Sequence, residues 1–296
     1  MLTNELINYA KFFEMILYRV SKNMIKQCVT VIEWKHIFGM LFDENGYLDL
    51  ERELAIFERV QRQIKEMFPL FQMKIVCCGL KIVGKAHIQT QIDACFEAPK
   101  YSNMVVGFDM VNEEDFTPDI DHFIPQIYEA IEKAQQMGRE FPLYLHCGES
   151  NDKFHTQLYD AILLGTKRIG HGFHLAFHPD LMQEVKEKQI CIECCPISNF
   201  VLGYVIDLRC HPARGFLHQG LPVSISSDDP GFMGYHGVTL DYVYIFLAWG
   251  LDIADLKKLI LNSIKYASVS DYEKIQLELF FNFKWERFLD RVISKF

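Results

Sequence analysis

The sequence lacks long uninterrupted hydrophobic runs and has no excess of positive charge. Its 30 Lys and Arg residues are outnumbered by 39 Asp and Glu residues, which gives a net charge of −9. The basic residues form no cluster that could follow a phosphate backbone. The apolar runs are much shorter than the roughly 20 residues that cross a bilayer. These absences argue against a nucleic-acid partner and against a membrane span.

Linkers, low-complexity tracts and internal repeats are also absent, and the composition does not shift along the chain. We therefore expect residues 1–296 to form a single domain. The first residues, Met1–Glu5, contain no basic segment of the kind that begins a signal peptide. For the chain as written, the sequence predicts a cytoplasmic location.

The nine cysteines are odd in number, and several lie inside apolar runs. These are Cys77, Cys78, Cys191, Cys194 and Cys195. Thiols in such runs behave as small hydrophobic groups, so we expect them to be reduced core residues. The adjacent pair Cys194 and Cys195 does not have the pattern of a zinc motif, because neighbouring strand residues face opposite sides and a second CxxC pair is missing.

Short β-branched runs bounded by turn or polar residues predict seven strands. They are Cys28–His36, Met73–Val83, Asn103–Met110, Pro142–His146, Arg168–His171, Gln189–Cys195 and Leu221–Ser226. Amphipathic stretches between most of them predict helices. They include Asp49–Met67, Asp119–Gly138, Phe154–Gly165 and Pro179–Lys188. The alternation predicts an α/β fold with parallel strands covered by helices.

Polar residues recur near the downstream ends of these strands. They are Glu33, His36, His87, Asp109, Asn112, His146, His171, Cys195, Ser198, Asn199, Asp228 and Asp229. In a closed α/β barrel these ends meet at one rim, where active sites are built. The competing architecture is a doubly wound open sheet, which usually has a glycine-rich first turn that this sequence lacks. The sequence therefore favours a TIM-type (β/α)8 barrel.

Candidate catalytic residues follow three of the strands. His146 ends an apolar strand, and Gly148 would let the chain turn so that Glu149 lies beside the imidazole. This places a metal ligand next to a carboxylate for proton transfer, although a strand-end histidine capped by a carboxylate is the plainer alternative. His171 lies between two glycines, where its ring is free to approach a ligand, although a histidine in this setting, taken alone, is more often an ordinary turn residue.

The adjacent carboxylates Asp228 and Asp229 repel each other unless a cation or a hydrogen-bond donor lies close. A divalent metal would relieve this repulsion. The alternative for Asp229 is a helix N-cap, because Pro230 follows it.

Taken in order, these segments resemble the adenosine deaminase family of zinc hydrolases. The matching segments are His146–Glu149, Arg168–Gly172, Glu193–Asn199 and Ser226–Pro230. Two more, Val105–Asp109 and Asn262–Tyr266, resemble the adenosine deaminase growth factor branch, also called adenosine deaminase 2. The resemblance covers nearly the whole chain from about residue 9 onward.

The resemblance implies a barrel of the metal-dependent hydrolase type that converts adenosine or deoxyadenosine to inosine or deoxyinosine and ammonia. It implies Zn²⁺ as cofactor, with His146 and Asp228 as ligands. Glu149 would protonate purine N1, and His171 would orient the metal-bound hydroxide. Asp229 would hold the water and the purine ring.

The implied small-molecule partner is a purine nucleoside. The backbone at Asn112 would approach the base, and Glu33 and His87 could contact the ribose. A homodimer is left open. The branch is typically secreted, so an extracellular location is expected for a full-length form.

The sequence departs from the family pattern at two places. The family's first barrel strand ends in a His-x-His pair that completes the zinc site, and this sequence contains no such pair, so we expect a barrel that lacks its first strand. Asn112 stands where the family usually has glycine. These departures leave two alternatives open, a catalytically impaired relative that binds nucleosides or acts like a growth factor, and a deaminase of another purine derivative.

Overall fold

The computed structural model describes residues 6–152 and 154–295 of the chain. Its main elements alternate between helices and strands. In chain order they are α1 (Ala10–Lys26), β1 (Val31–His36), β2 (Phe42–Asp43), β3 (Gly46–Tyr47), α2 (Leu50–Lys65), β4 (Gln72–Leu80), α3 (Lys85–Glu97), β5 (Val105–Val111), α4 (Ile124–Gln136), β6 (Tyr144–Cys147), α5 (Gln157–Leu163), β7 (Arg168–His171), α6 (Pro179–Glu187), β8 (Cys191–Cys194), α7 (Pro196–Val201), α8 (Ala213–His218), β9 (Val223–Ile225), α9 (Thr239–Trp249), α10 (Ile253–Lys265) and α11 (Asp271–Ile293).

Seven parallel strands form one curved arc. Three of them pair in the order β1-β4-β5 and four in the order β6-β7-β8-β9. A parallel bridge between Phe108 and Leu143 joins the two groups. Among the described residues the arc does not close, so β1 and β9 are its two edges. The arrangement is a partial TIM barrel.

The helices cover the outer face of the arc because their apolar residues recur at helical spacing. Helix α2 illustrates this, with Leu54, Phe57, Val60 and Ile64 all buried. Its first turn is capped by Asp49, whose side chain accepts a hydrogen bond from the backbone N–H of Arg52 at 2.9 Å.

The seven predicted strands are confirmed, each within a few residues of its predicted bounds. The interior of the central strand β4 is buried on both faces, as a covered parallel strand requires, whereas the edge strand β1 is mostly half-buried. The five thiols predicted to be core residues are buried and free. No helix among the described residues is both long and apolar enough to cross a bilayer. Met1–Glu5, on which the expectation about a signal peptide rests, lies outside the described residues.

Candidate active site at the strand ends

The parallel register brings the candidate site residues to one rim of the arc. His146 on β6 is level with Gly170 on β7, and Cys147 is level with His171. Cys194 on β8 is level with Ile225 on β9, so Cys195 and Asp228 follow the ends of two neighbouring strands. The rings of His146 and His171 have centroids 5.0 Å apart. The carboxyl ends of four adjacent strands therefore meet at one place, as in other α/β barrels.

Asp109 on β5 holds His146 in a fixed orientation. The backbone N–H of His146 donates to Oδ1 of Asp109 at 2.8 Å, and Nδ1 of His146 bonds to Oδ2 at 2.6 Å. Because Nδ1 is committed to the carboxylate, Nε2 is the nitrogen left for another ligand. Burial lowers the pKa of His146, but the Asp109 carboxylate more than offsets this and raises it to about 9.

Asp109 belongs to a line of alternating charges that crosses the interior of the arc. Lys35 on β1 lies 2.8 Å from Oδ2 of Asp109 and 3.4 Å from Oε2 of Glu193 on β8. Nε of Arg168 lies 2.6 Å from Oε1 of Glu193, and its guanidinium also pairs with Glu33 on β1. We call this series, Glu33, Arg168, Glu193, Lys35 and Asp109, the interior charge chain. Its contacts between β1 and the distant β7 and β8 show that the arc is curled.

The pairing keeps these buried groups ionised. Burial raises the pKa of Glu193, but Lys35 and Arg168 bring it down to about 2. Burial alone would raise the pKa of Asp109 by favouring its neutral form. The charges of His146 and Lys35 outweigh burial and hold this pKa well below its usual range. Buried charges persist when each has an opposite partner, and here every member has one.

Glu149 and His171 lie against each other at the rim. Oε1 of Glu149 is 3.2 Å from Nδ1 of His171, although that oxygen is buried and has no hydrogen-bond partner among the described residues. Burial is the main reason that the pKa of Glu149 rises to about 8, with Asp228 adding to it. Burial and the nearby His146 lower the pKa of His171. At neutral pH the site thus pairs a protonated carboxyl with a neutral imidazole.

Two glycines make this arrangement sterically feasible. Gly148 has a φ of +78°, which allows the chain to turn between His146 and Glu149. At Gly170 a Cβ atom would come within 3.0 Å of Cγ of His146. Because Gly170 has no side chain, the imidazole of His146 can occupy this position.

Asp228 and Asp229 follow β9. Asp228 has a φ of +53°, in the left-handed region that carries strain for a residue with a side chain. Oγ of Ser198 donates to its Oδ2 at 2.6 Å. Burial and the neighbouring Asp228 raise the pKa of Asp229. The N-cap alternative for Asp229 is wrong, because the residues after Pro230 form turns and helix α9 begins only at Thr239.

Besides Asp229, three residues were predicted to contact the substrate, and the structure does not bring all of them to the rim. Asn112 follows β5 with a φ of +132°, a conformation that favours glycine, and its Oδ1 accepts from the backbone N–H of Ile82 at 3.3 Å. His87 lies in the first turn of α3 rather than at a strand end. Its Nε2 is buried and has no hydrogen-bond partner among the described residues.

Glu33 lies elsewhere. It is the third residue of β1, and its Oε1 accepts from Arg168 at 3.2 Å and from the backbone N–H of Ser268 at 2.6 Å. Arg168 begins β7, so Glu33 is committed to the end of the arc opposite the rim. The structure thus does not bring Glu33 together with His146 and Asp228.

Four residues of this region were given no role in the site from the sequence. They are Lys35, Asp109, Glu193 and Cys195, of which Asp109 and Cys195 were noted only as polar residues near strand ends. Asp109 had a signal, because it lies near the end of a strand and its side chain is of the type that orients a histidine. Lys35 had none beyond its charge. Glu193 begins a segment that carries the family resemblance, but its ion pairs could not be predicted because the partners are far away in the chain.

The donors at the rim fit a divalent transition metal. His146 presents Nε2 because Asp109 holds Nδ1. Three further donor atoms lie within 4.8 Å of one another, one from each of His171, Cys195 and Asp228. Imidazole, carboxylate and thiolate are the groups that bind Zn²⁺ in proteins.

Comparison with known proteins agrees with the geometry. The family model described as Adenosine deaminase matches residues 2–279. The chain is similar to adenosine deaminase 2 of Dictyostelium discoideum, with 34% identity over 99% of this chain and 55% of the relative. It is also similar to adenosine deaminase 2 of Homo sapiens, with 31% identity over 98% of this chain and 58% of the relative. The chain thus spans just over half the length of these relatives.

Solved structures share the fold. An amidohydrolase of Burkholderia ambifaria with bound zinc superposes with a TM-score of 0.81 at 18% identity, over 97% of this chain and 76% of that one. The Arabidopsis protein ADAL in complex with GMP superposes with a TM-score of 0.77 at 16% identity, over 94% and 79% respectively. The family match over residues 2–279 establishes that the chain belongs to the adenosine deaminase family, and the relatives at 34% and 31% identity are of its adenosine deaminase 2 branch.

Proposed function

We propose that the chain catalyses the zinc-dependent hydrolytic deamination of adenosine or deoxyadenosine, giving inosine or deoxyinosine and ammonia. One observation carries the proposal. A buried carboxyl group, Glu149, lies 3.2 Å from the buried imidazole of His171, at the same rim as the oriented His146 and the carboxylate pair of Asp228 and Asp229. A barrel needs none of these groups to fold, whereas hydrolytic deamination needs an acid, a base partner and metal ligands together.

Glu149 supplies the proton that the purine requires. With a pKa of about 8 its carboxyl group is mainly protonated at neutral pH, so it can donate to N1 as water attacks C6. Protonation of N1 makes C6 more electrophilic and stabilises the tetrahedral product of the attack. The proton stays on N1 in the product; of the two protons of the attacking water, one leaves with the amino group as ammonia and the other returns the carboxyl group of Glu149 to its acid form.

His146 and Asp228 would hold the zinc ion. When bound, zinc lowers the pKa of a coordinated water to about 7 and so supplies the attacking hydroxide at neutral pH. Asp109 keeps Nε2 of His146 directed towards the rim, and Ser198 keeps the carboxylate of Asp228 in place. The neutral imidazole of His171 is suited to accept a hydrogen bond from the attacking water or to donate one to it.

Asp229 and Asn112 would contact the base. Asp229 keeps a raised pKa beside Asp228 and would hold the water and the ring. The backbone of Asn112 has the conformation of a glycine, so its N–H could approach the purine while the side chain is held by Ile82. His87, in the first turn of α3, would contact the ribose through its unpartnered Nε2.

Conversion of adenosine to inosine by the purified chain in the presence of Zn²⁺ tests this function. Glu149→Gln keeps the shape of the side chain and removes the acid, so turnover should fall by about 10²–10⁴-fold. Glu187→Gln on the exposed surface of α6 is the matched control and should leave turnover unchanged. If the chain releases no ammonia but still binds adenosine, the nucleoside-binding alternative replaces the deaminase. Turnover of methylated analogues or adenine alone would point to another purine substrate.

A further inference from the structure

A cleft of about 740 Å³ opens at the end of the arc opposite the rim. It lies between the loops that lead into β7 and β8 and the segment that joins α10 to α11. Arg168, at the start of β7, forms part of its wall, and its guanidinium already pairs with Glu33 and Glu193. The residues that the proposed function uses do not line this cleft. It is therefore a second concave surface, separate from the proposed active site.

The cleft concentrates positive charge in a protein whose net charge is −9. None of the described residues that line it is Asp or Glu. Four lysines line it, namely Lys167, Lys188, Lys265 and Lys274. They come from three segments of the chain, so only folding brings them together. A concave surface with one sign of charge raises the local concentration of ions of the opposite sign. The cleft therefore attracts anions.

Two of the lysines, Lys265 and Lys274, have no carboxylate within ion-pair distance in the described part of the chain. Nζ of Lys265 instead bonds to Oε1 of Gln189 at 2.9 Å. Lys167 and Lys188 pair only with exposed carboxylates, at 3.5 and 2.7 Å. Solvent screens such pairs, so they hold a lysine weakly. All four ammonium groups can therefore turn to an anion without breaking a buried ion pair.

Helix stability explains only part of this arrangement. A cation at the C-terminal end of a helix is favourable, which accounts for Lys188 after α6 and Lys265 at the end of α10. Lys274 is the fourth residue of α11, near the end at which the helix dipole disfavours a cation. Lys167 lies in the loop before β7 and belongs to no helix. The positive charge of the cleft therefore needs another explanation.

The size and surface of the cleft fit a small phosphorylated molecule. Sites that bind small molecules typically measure about 300–1,000 Å³. Lysine binds phosphate as a point charge. Beside the lysines, half-buried Tyr266 and exposed Leu163 add aromatic and apolar surface that can contact a base or a sugar. The lysines surround one compact cleft and form no stripe of the kind that follows a nucleic acid.

We propose that this cleft binds a small molecule that carries a chain of phosphate groups, with Lys265 and Lys274 as its main charged contacts. Inorganic triphosphate and nucleoside triphosphates share this chemistry. The contacts are electrostatic and exposed to solvent, so binding weakens as the salt concentration rises. The site goes beyond the proposed function, because it uses no residue of the rim and its occupancy can be measured without turnover.

Isothermal titration calorimetry of the full chain with inorganic triphosphate, and separately with GTP, tests the proposal. GTP is used because guanine has no 6-amino group for the proposed reaction to remove. The double variant Lys265→Gln with Lys274→Gln keeps polar side chains and removes two charges from the cleft. It should weaken the binding of either probe by about 10-fold. Circular dichroism checks that the variant folds.

The matched control is Lys258→Gln with Lys284→Gln. It removes the same charge from the same two helices, α10 and α11, at positions outside the cleft. This control should bind both probes as the parent chain does. Tighter binding of GTP than of triphosphate would show that the nucleoside also contacts the cleft, whereas equal binding would assign the cleft to the phosphate chain alone. Either result supports the site.

Three results would overturn the proposal. The parent chain could bind neither probe. Both double variants could lose affinity equally, which would make net charge the cause. Both could keep their affinity, which would place the probe elsewhere, for example on a metal ion at the rim. A chain that binds the probes through the cleft but releases no ammonia from adenosine would support this site and contradict the proposed function.

Discussion

Both carboxylate oxygens of Asp109 bond to the same histidine, Oδ1 to the backbone N–H of His146 at 2.8 Å and Oδ2 to its Nδ1 at 2.6 Å. This double contact fixes both the backbone and the ring of His146. Asp109 in turn is held by Lys35. The orientation of a proposed metal ligand therefore depends on residues inside the arc that no ligand would touch.

Asp109→Asn should weaken zinc binding. The amide keeps the size of the side chain but loses its charge and cannot accept at both oxygens, so His146 loses part of its orientation. Loss of a carboxylate that orients a metal-binding histidine typically costs about 10–100-fold in metal affinity. Competition with a coloured chelator measures this, with Asp93→Asn on the exposed face of α3 as control. Equal zinc affinities for the two variants would contradict the role assigned to Asp109.

Gly170→Ala should damage the site through His146. The new Cβ atom would meet Cγ of His146 at 3.0 Å, so the ring or β7 has to shift. We expect a loss of about 1–3 kcal/mol in the free energy of unfolding, measured by denaturant titration, together with weaker zinc binding. The control is Gly215→Ala in helix α8, where a Cβ atom meets open space. That substitution should leave stability unchanged or raise it by about 0.5–1 kcal/mol. Tolerance of both changes would show that the ring has more room than the structure gives it.

Arg168→Met should destabilise the fold. The guanidinium is buried and pairs with both Glu33 and Glu193, and its removal leaves two carboxylates without their main partner. Breaking a buried ion pair in this way costs about 3–5 kcal/mol. The exposed pair of Arg209 and Asp207 gives a control, because solvent screens this pair and Arg209→Met should leave stability nearly unchanged. Urea titration of both variants makes the comparison. Similar small effects would mean that the interior charge chain contributes little to stability.

Asp241 should give the domain a dependence of stability on pH. Burial raises the pKa of Asp241 from 3.8 to about 7, although Ile197 and Tyr235 hydrogen-bond to its carboxyl group. Between these two pKa values the folded state retains a proton that the unfolded state has lost. Linkage then requires the free energy of unfolding to fall as pH rises from about 4 to 7, by at most about 1.4 kcal/mol per pH unit.

Asp241→Asn should remove this part of the pH dependence. The amide can still accept from Ile197 and bond to Tyr235, so the fold should be kept. The measurement is the difference in free energy of unfolding between the parent and Asp241→Asn across pH 4–7. A difference that does not change with pH in this range would show that Asp241 titrates at its ordinary value.

Much of the fold could be predicted from the sequence because its signals are local. The β-branched runs predicted all seven strands, and the order of the motifs after them predicted which rim would carry the site. Gly148 has the left-handed backbone expected of the turn between His146 and Glu149.

The interior charge chain could not be predicted, because its pairs join distant parts of the chain. Arg168 and Glu33 are 135 positions apart, and the segment that contains Arg168 does not indicate this pairing. Glu33 was expected at a strand end, but three more residues follow it within β1, so it lies inside the arc. Cys195 was expected to be a core thiol, and only the structure shows how close it lies to His171 and Asp228.

The most direct test of the central claim is ammonia release from adenosine by the purified, zinc-loaded chain, compared with the same chain carrying Glu149→Gln. The account predicts conversion to inosine that depends on zinc and falls by about 10²–10⁴-fold in the variant. Undiminished turnover in Glu149→Gln, or no turnover in the parent chain with zinc bound, would contradict it.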